Sequence, residues 1–245
     1  MNSAQIQQAK QAVRERVWDL LERERAAPSG VAGHIPDFVG AEAAATRLAE
    51  HPAWQAARVI KAVPDLAQLP VRVRALEERK LLYMASPKLA TDNPFYYLNP
   101  ASLTVPSREA AAHRTAAKFA EPVDLDEIPP VDLVVCGSVA VNLEGVRLGK
   151  GAGYSDIEVA LLQEAGLLGS HTLIATTVHP LQILNETLPE TDHDFRVDLI
   201  ITADETIECE PCRRPPGIIW EHLAPEMIAA IPALANRNPI GGQGA

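Results

Sequence analysis

The chain has 245 residues, of which 47% are hydrophobic and 22% charged, a balance typical of a globular protein with one large domain or two small ones. Its formal net charge is −10, which argues against a general nucleic-acid or membrane-surface binder, because both functions need a broad basic face. An anionic ligand would therefore have to be held by a local basic pocket in an acidic protein.

The sequence has no apolar run of about 18 residues, and no apolar signal-peptide core follows the polar stretch 1–10. We therefore expect a cytoplasmic protein that has neither nucleic acid nor a membrane as its partner. The sequence does not indicate an oligomeric state.

The first half of the chain alternates helical and strand patterns. Apolar residues recur at helical spacing from Ile6 to Leu21, which predicts a helix over 4–25 that ends before Pro28. The next predicted elements are a loop at 34–38, a helix at 41–50, a strand at 57–63, a helix at 71–79, a strand at 80–85, a loop at 91–100, a helix at 108–119 and an acidic connector at 121–130.

The second half continues the alternation. Its predicted elements are a strand at 131–136, a glycine-rich segment at 147–156, a helix at 157–165, strands at 171–178 and 197–202, a short helix at 224–230 and a frayed tail at 236–245. Strands that alternate with helices predict an α/β layered fold, with a mostly parallel sheet flanked by helices. No repeat or long linker divides the chain, so we expect one domain over 1–245 with helix 4–25 packed on it.

The segment Arg147-Leu-Gly-Lys-Gly-Ala-Gly-Tyr-Ser-Asp156 carries most of the functional information. It follows a strand pattern and leads into a helix. A glycine-rich bend at a helix start has backbone N–H groups without partners and can bind an anion, most often phosphate. Lys150 adds a mobile positive charge, and Asp156 could hold a hydrated magnesium ion.

A purely structural interpretation of this segment stays open. Ser155 and Glu158 have the spacing of a capping box, and glycines also serve tight turns that bind nothing. The spacing matches neither a Walker loop nor the dinucleotide fingerprint. The segment alone therefore does not decide between a phosphate site and a structural turn, and the rest of the chain has to.

The three cysteines do not form a disulfide framework. Cys209 and Cys212 have CxxC spacing, but a zinc site needs two more ligands, and a redox motif should lie at a strand-to-helix turn. We interpret both, like Cys136, as plain thiols whose role the sequence does not assign.

Four stretches together point to a known family: 131–135, 145–156, 192–201 and the N-terminal pattern from Lys10 to Arg14. They resemble the 5-formyltetrahydrofolate cyclo-ligase family, also called methenyltetrahydrofolate synthetase. The branch known as methenyltetrahydrofolate synthetase domain-containing proteins is more similar still, over nearly the whole chain. That likeness is carried by Val17-Trp18, Arg58 to Lys61, Val71-Arg72, Lys80 to Leu82, Gly137 to Val141, Gly153 to Glu158, Val178-His179 and Gly217 to Trp220.

The resemblance implies a fold similar to that of sugar-phosphate isomerases and CoA transferases, and it implies ATP, Mg²⁺ and a reduced folate as ligands. The implied reaction converts 5-formyltetrahydrofolate into 5,10-methenyltetrahydrofolate. The formyl oxygen is a poor leaving group until it receives the γ-phosphoryl group of ATP. Attack by N10 then expels phosphate, and the protein contributes positioning and charge neutralisation.

The resemblance also implies an ATP site in this chain. Lys10 and Arg14, four residues apart on one helical face, would reach the phosphates from one side. Lys150 and Tyr154 would be the catalytic residues, with Asp156 and Asp198 as metal ligands. The implied ATP-binding set is Lys10, Arg14, Arg147, Gly149, Lys150, Gly151, Ala152, Gly153 and Tyr154.

Some of these assignments have plain alternatives. Lys10 and Arg14 could form a solvated helix face, and Asp198 could cap a turn at a strand end. Tyr96 and Tyr97 could stack on a pterin ring or simply pin their loop. We interpret His193 as a loop residue.

The chain also departs from the family pattern. The family's enzymes usually have Gly-Tyr-Tyr-Asp where this chain has a serine at position 155, and the glutamate-bearing segment that contacts folate is not recognisable within 63–70. Three hypotheses follow: an ATP- and Mg²⁺-dependent cyclo-ligase acting on 5-formyltetrahydrofolate or a related N-acyl substrate, a non-catalytic ATP- or folate-binding protein, and another α/β enzyme such as a sugar-phosphate isomerase.

Overall fold

The structure is a computed structural model that describes residues 2–210 and 214–237. Within these ranges the helices are α1 (Ser3–Arg23), α2 (Ala41–Glu50), α3 (Pro52–Ala56), α4 (Leu69–Glu77), α5 (Ser107–Ala111), α6 (Tyr154–Glu164), α7 (Pro225–Ala230) and α8 (Pro232–Ala235). The strands are β1 (Val59–Ala62), β2 (Leu81–Ala85), β3 (Phe95–Leu98), β4 (Glu121–Val123), β5 (Val131–Cys136), β6 (Ala140–Asn142), β7 (Arg147–Leu148), β8 (Leu168–Thr177), β9 (Ile183–Leu184), β10 (Leu199–Ile201) and β11 (Thr206–Glu208).

The main sheet has the strand order β11-β10-β8-β5-β1-β2-β3-β4 among the described residues. Its central strands, from β10 to β2, are parallel, and antiparallel strands lie at both edges. A small second sheet has the order β7-β6-β9. The predicted α/β fold with a mostly parallel sheet flanked by helices is confirmed.

Strand β1 is the point at which the strand order reverses. The chain passes from β1 to β2 on one side, and later places β5 on the other side of β1. In open α/β sheets such a reversal leaves a crevice outside the carboxyl ends of the strands, where ligands bind. The topology therefore directs attention to the residues that follow β1 and β2.

Two apolar layers cover the two faces of the sheet, and alternation along each strand assigns its side chains to them. In β1, Ile60 and Ala62 join the layer under α1, α2 and α4, whereas Val59 joins the layer under α6. The side chain of Lys61 also lies on the face that α6 covers, at a buried strand position where an apolar residue is expected.

Lys61 is compensated by a buried ion pair. Its side chain is 1% exposed, and its Nζ pairs with a carboxylate oxygen of Glu158 in α6. A buried charge without a partner would cost several kcal/mol, so each residue makes the burial of the other tolerable. The pair ties α6 to β1 and explains why Glu158 is not part of a capping box. The N-cap of α6 is Gly153, without a side-chain cap among the described residues.

Most predicted elements are found with their ends shifted by a few residues, and α2 and β5 match their predicted ranges. The predictions between 91 and 130 were wrong. Strand β3 lies in the predicted loop, β4 lies in the predicted connector, and the predicted helix 108–119 is only α5 and a 3₁₀ turn at Ala116–Lys118. Both strands pair antiparallel at the sheet edge, where proline is tolerated and short strands suffice, so neither has a clear sequence pattern.

Two sequence predictions concern residues that the structure does not describe. Cys212 and most of the predicted tail, residues 238–245, lie outside the described ranges. No helix within 2–210 and 214–237 is both long and apolar enough to cross a membrane.

The buried pair predicts an asymmetric mutational response. Lys61→Met alone leaves Glu158 buried without a counter-charge, so we expect the free energy of unfolding to fall by about 3–5 kcal/mol in urea denaturation. The double variant Lys61→Met, Glu158→Leu should recover most of that loss, because the two apolar side chains can pack together.

The matched control is Arg16→Met, which breaks the exposed ion pair with Glu186 and should cost about 1 kcal/mol or less. A loss for Lys61→Met no larger than that of the control would contradict the stated role of the buried pair.

Candidate functional site

A cavity of about 790 Å³ opens at the carboxyl ends of β1 and β2. Its walls include one face of α1, residues 63–66 after β1, residues 84–88 at the end of β2, and the loop between β7 and α6. Its volume lies within the range of roughly 300–1,000 Å³ that is usual for small-molecule sites. The cavity is therefore the candidate functional site.

The cavity is locally basic although the chain is acidic. The lining has six lysines and arginines against five carboxylates, whereas the whole chain has 22 against 32. The charged lining residues are Lys10, Arg14, Lys88, Arg114, Arg147 and Lys150, with Asp37, Asp65, Asp156, Glu158 and Asp194. This composition meets the sequence-based requirement for a local pocket that can accept an anion.

The glycine loop, defined as residues 149–153, supplies backbone donors. Gly151 and Gly153 have φ values of 100° and 75°, in the left-handed region that favours glycine. The N–H groups of the loop donate to no protein acceptor in the described part of the chain, and the first amides of α6 are free as at any helix start. The loop lines the cavity, so it can form an anion site at the positive end of a helix.

Arg147 lies next to the glycine loop and is 4% exposed. Its Nη2 donates to Oδ1 of Asp156 at 2.7 Å, and its guanidinium carbon lies 4.0 Å from the ring centroid of Phe195. Its Nε and Nη1 have no hydrogen-bond partner among the described residues. A Cβ at position 149 would approach Nη1 to 2.9 Å, so a side chain there would displace the Arg147 guanidinium.

Lys10 and Arg14 are buried at the cavity wall, so they do not form the solvated helix face that was the alternative. Arg14 donates through Nε to the carbonyl of Gly149 at 2.7 Å, which joins α1 to the glycine loop. Burial lowers the pKa of Arg14, and Asp194 opposes that shift. Lys10 pairs through Nζ with Oδ2 of Asp194 at 2.5 Å.

Asp194 is the cavity residue that sequence reasoning missed. Its carboxylate accepts hydrogen bonds from Lys10 and from the backbone and hydroxyl of Thr191. Burial disfavours its ionised form, but the Lys10 and Thr191 donors outweigh burial and lower its pKa. The neighbouring His193, interpreted as a loop residue, also lines the cavity. The sequence feature that could have indicated Asp194 is the cluster of polar residues from 191 to 194, which precedes a buried strand.

Asp198, expected at the metal site, lies elsewhere. It precedes β10, at the amino end of a parallel strand, and the cavity lies at the carboxyl ends. Its carboxylate accepts from the N–H of Ile174 at 2.7 Å and pairs with Arg214 at 2.5 Å, and it is not among the described residues that line the cavity. The expectation for Asp198 is corrected: it is a strand-end carboxylate, whereas Asp156, the other expected metal ligand, does line the cavity.

Lys150 and Tyr154 both line the cavity. Lys150, whose side chain is 41% exposed, donates through Nζ to Oδ1 of Asp65 at 3.1 Å. Asp65 lies just after β1, within the segment 63–70 in which no folate-contacting glutamate was recognised. Tyr154 begins α6 and packs partly against the α6 layer. The ion pair therefore joins the glycine loop to the segment after β1.

Two aromatic and apolar side chains form another part of the wall. Tyr96 pairs in register with Met84, and both line the cavity. Tyr97 instead stacks on Tyr83, with ring centroids 4.9 Å apart. Of the two tyrosines considered for ring stacking, only Tyr96 is among the described residues that line the cavity.

The donor set fits a metal that arrives with phosphate. No group of three or more His, Cys, Asp or Glu side chains within 2–210 and 214–237 could hold a metal by itself. Mg²⁺ usually takes one or two carboxylates and completes its shell with phosphate and water oxygens. Asp156 and Asp194, together with the free amides and the unpaired Arg147 donors, fit Mg²⁺ and phosphate groups together.

Comparisons with known proteins agree with the resemblance found in the sequence. A sequence model of the 5-formyltetrahydrofolate cyclo-ligase family matches residues 6–203. The methenyltetrahydrofolate synthase domain-containing protein of Mus musculus is 39% identical over 234 residues, which cover 93% of this chain and 63% of the relative. The Homo sapiens protein of that name is 34% identical over 233 residues, covering 92% and 60%. The chain therefore spans about three-fifths of the length of these relatives.

One solved structure supports the fold. The NMR structure of Aquifex aeolicus 5,10-methenyltetrahydrofolate synthetase superimposes with a TM-score of 0.52 at 22% identity, over 89% of this chain and 99% of that chain. At this identity the likeness establishes the fold alone.

The buried Lys10–Asp194 pair predicts a pH-dependent stability. Because the pKa of Asp194 is lowered by folding, its contribution is present at neutral pH and is lost as the pH falls below about 4. Asp194→Asn leaves Lys10 buried without a counter-charge and should cost about 3 kcal/mol at pH 7 in urea denaturation. The difference from the parent should narrow towards pH 3.

Asp192→Asn, an exposed change two residues away, is the control and should have little effect at either pH. A difference between Asp194→Asn and the parent that stays constant down to pH 3 would show that the carboxylate charge is not responsible.

Proposed function

The chain belongs to the 5-formyltetrahydrofolate cyclo-ligase family, and on that basis we propose that it is an ATP- and Mg²⁺-dependent cyclo-ligase. Its substrate is 5-formyltetrahydrofolate or a related N-acyl compound, and its product is the ring-closed 5,10-methenyl form. The partner is thus a small molecule, a reduced folate.

One observation carries this proposal. In the described part of the chain, the free N–H groups of the glycine loop lie in the cavity wall next to a buried guanidinium with two unpaired nitrogens. The two Arg147 nitrogens are buried, and buried donors without acceptors are rare in folded proteins. The loop amides lie in a largely exposed segment and are open to a ligand. Phosphate oxygens would accept from the loop amides directly, and from the Arg147 nitrogens after a shift of the loop that uncovers them.

The charged residues around the loop divide into three roles. Lys10 and Arg14 neutralise phosphate charge from the α1 side, and Arg147 does so from beneath the loop. Lys150 is the most exposed of these cations, so its side chain can move with the phosphoryl group during transfer. Its charge would then stabilise the negative charge of the transition state, and such stabilisation is the main source of catalysis in phosphoryl transfer. Tyr154 offers a hydroxyl donor at the start of α6.

Asp156 and Asp194 are the carboxylates available to Mg²⁺ in this proposal. Both are at present paired with cations, Asp156 with Arg147 and Asp194 with Lys10. Bound Mg²⁺ would neutralise charge on the phosphate oxygens. The carboxylates would hold it in place and keep the two cations oriented towards the same phosphates.

The substrate half of the site differs from the family pattern and was not recognised in the sequence. The wall that includes Tyr96 and Met84 offers an aromatic and apolar surface for a pterin ring, and Asp65 offers a carboxylate for its polar edge. This arrangement supports a folate rather than a small sugar phosphate.

A non-catalytic ATP- or folate-binding protein is the second candidate. Ser155 favours it, because it stands where the family's enzymes usually have a second aromatic residue. The two candidates share the phosphate site and differ only in turnover.

A spectroscopic assay distinguishes the two candidates. Purified protein with MgATP and 5-formyltetrahydrofolate should develop the near-ultraviolet absorbance of the methenyl product, with one ADP released per turnover. Lys150→Ala should lower kcat/KM by about 100-fold, as expected for the loss of one group that stabilises transition-state charge. ATP binding without product at high enzyme concentration would select the non-catalytic alternative.

The glycine loop itself is tested by calorimetric binding of MgATP. Gly151→Val should weaken binding about tenfold or more, because it forces a side chain onto a residue with φ of 100° beside Arg14. Lys150→Ala should weaken it through lost charge. Parent-like binding in both variants would rule out the loop as the phosphate site.

The matched controls lie outside the cavity. Gly166→Val has the same kind of strain, at φ of 70°, with no described atom within 4 Å of its new Cβ. Lys118→Ala removes an exposed charge elsewhere. Neither control should change ATP affinity.

A further inference from the structure

Arg72 of α4 is a buried cation that the proposed reaction does not use. It is 0% exposed, and in the described part of the chain it has no ion-pair partner. It instead donates to three backbone carbonyls: Nε to Ala111 at 2.9 Å, and Nη1 to Val63 at 2.5 Å and Asp65 at 2.9 Å. Burial lowers its pKa to about 9, so it remains charged at neutral pH. The Asp65 carboxylate opposes that shift, and Nη2 has no hydrogen-bond partner among the described residues. A full charge buried without a direct ion pair is costly and calls for a reason.

The three carbonyls belong to two walls of the cavity. Val63 and Asp65 follow β1 and line the cavity directly, while Ala111 ends α5, two residues before the lining residue His113. One guanidinium therefore holds together the segment after β1 and the segment after α5. A lysine could not reproduce this geometry, because it lacks the planar fork of donors.

Arg72 is connected to the glycine loop through Asp65. The backbone carbonyl of Asp65 accepts from Arg72, and the side chain of the same residue accepts from Nζ of Lys150 at 3.1 Å. Because Arg72 holds the backbone of Asp65 in place, it also limits the positions from which the Asp65 carboxylate can bind Lys150. A lysine side chain loses rotamer freedom when it is immobilised, so holding it in advance lowers the entropic cost of binding an anion.

The charge of Arg72 also reaches the cavity. The pKa of His113 is lowered, first by burial and then by Arg114 and Arg72. The Arg72 charge behind the wall has no ion pair of its own among the described residues and is opposed only by the nearby Asp65 carboxylate. This positive charge favours an anionic ligand in the cavity.

We propose that Arg72 is a positioning residue of the anion site, which orders Asp65 from behind the cavity wall so that the carboxylate holds Lys150 ready for phosphate. The identity of the ligand rests on the proposed function. The connection from Arg72 through Asp65 to Lys150 does not, because it exists without a ligand.

The first test is a double-mutant cycle on MgATP affinity. Arg72→Lys and Asp65→Asn should each weaken binding about tenfold, which corresponds to about 1.4 kcal/mol. If Arg72 acts through Asp65, Arg72→Lys should add little in the Asp65→Asn background. Additive effects would overturn the proposal. The control is Arg74→Lys, the same change on the same helix at a partly exposed arginine, which should bind as the parent does.

The second test needs no ligand. Lysines are ¹³C-methylated, and the Lys150 signal is assigned by its absence in Lys150→Arg. Asp65→Asn should shift that signal, and Arg72→Lys should shift it in the same direction, while Arg74→Lys leaves it unchanged. A signal that responds to Asp65→Asn and not to Arg72→Lys would overturn the proposal.

The two tests also separate the inference from the proposed function. A parent protein that does not bind MgATP would refute the function, while the methyl signal would still decide the role of Arg72. Should Arg72→Lys fail to fold, Arg72→Gln replaces it in both tests. Thermal unfolding of every variant then shows whether a change in affinity exceeds what lost stability explains.

Discussion

Charge compensation in a dry interior organises this protein around its cavity. Three buried cations, Lys10, Lys61 and Arg147, come from three different elements, and each is neutralised by a carboxylate from another part of the chain. Because an unpaired charge of this kind costs several kcal/mol, the elements cannot separate without a large penalty. The pairs tie α1 to the segment around Asp194, and α6 to β1 and β7. Of the three cations, Lys10 and Arg147 line the cavity itself.

The hydrogen-bond donors that lack an acceptor are as informative as the ion pairs. The main-chain donors of the glycine loop and two nitrogens of Arg147 lack acceptors within the described residues, and so does Nη2 of the buried Arg72. The small sheet of β6, β7 and β9 brings the loop to this place, and the reversal of strand order at β1 leaves the space into which it opens. Topology and hydrogen-bond accounting therefore identify the same location by independent arguments.

The sequence predicted features that depend on local patterns. The alternation of strands and helices, the range of β5 and the glycine-rich entry to α6 all follow from neighbouring residues, and the family resemblance added Lys10 and Arg14. Pairs distant in sequence were not predictable. Asp194 meets Lys10 across 184 positions and Glu158 meets Lys61 across 97, and no periodicity records such contacts. Asp198 was expected at the metal site from the family resemblance, and only the direction of β10 shows that it lies at the other end of the sheet from the cavity.

The placement of α1 has a consequence for biosynthesis. Helix α1 precedes both of its partners in the chain, because the carbonyl that Arg14 contacts belongs to residue 149 and the carboxylate that Lys10 contacts belongs to residue 194. On a ribosome, where the chain grows from its N-terminus, α1 cannot make both contacts until residue 194 has been synthesised. A nascent chain therefore exposes Lys10 and Arg14 in the meantime, and this wall of the cavity is completed only after that point.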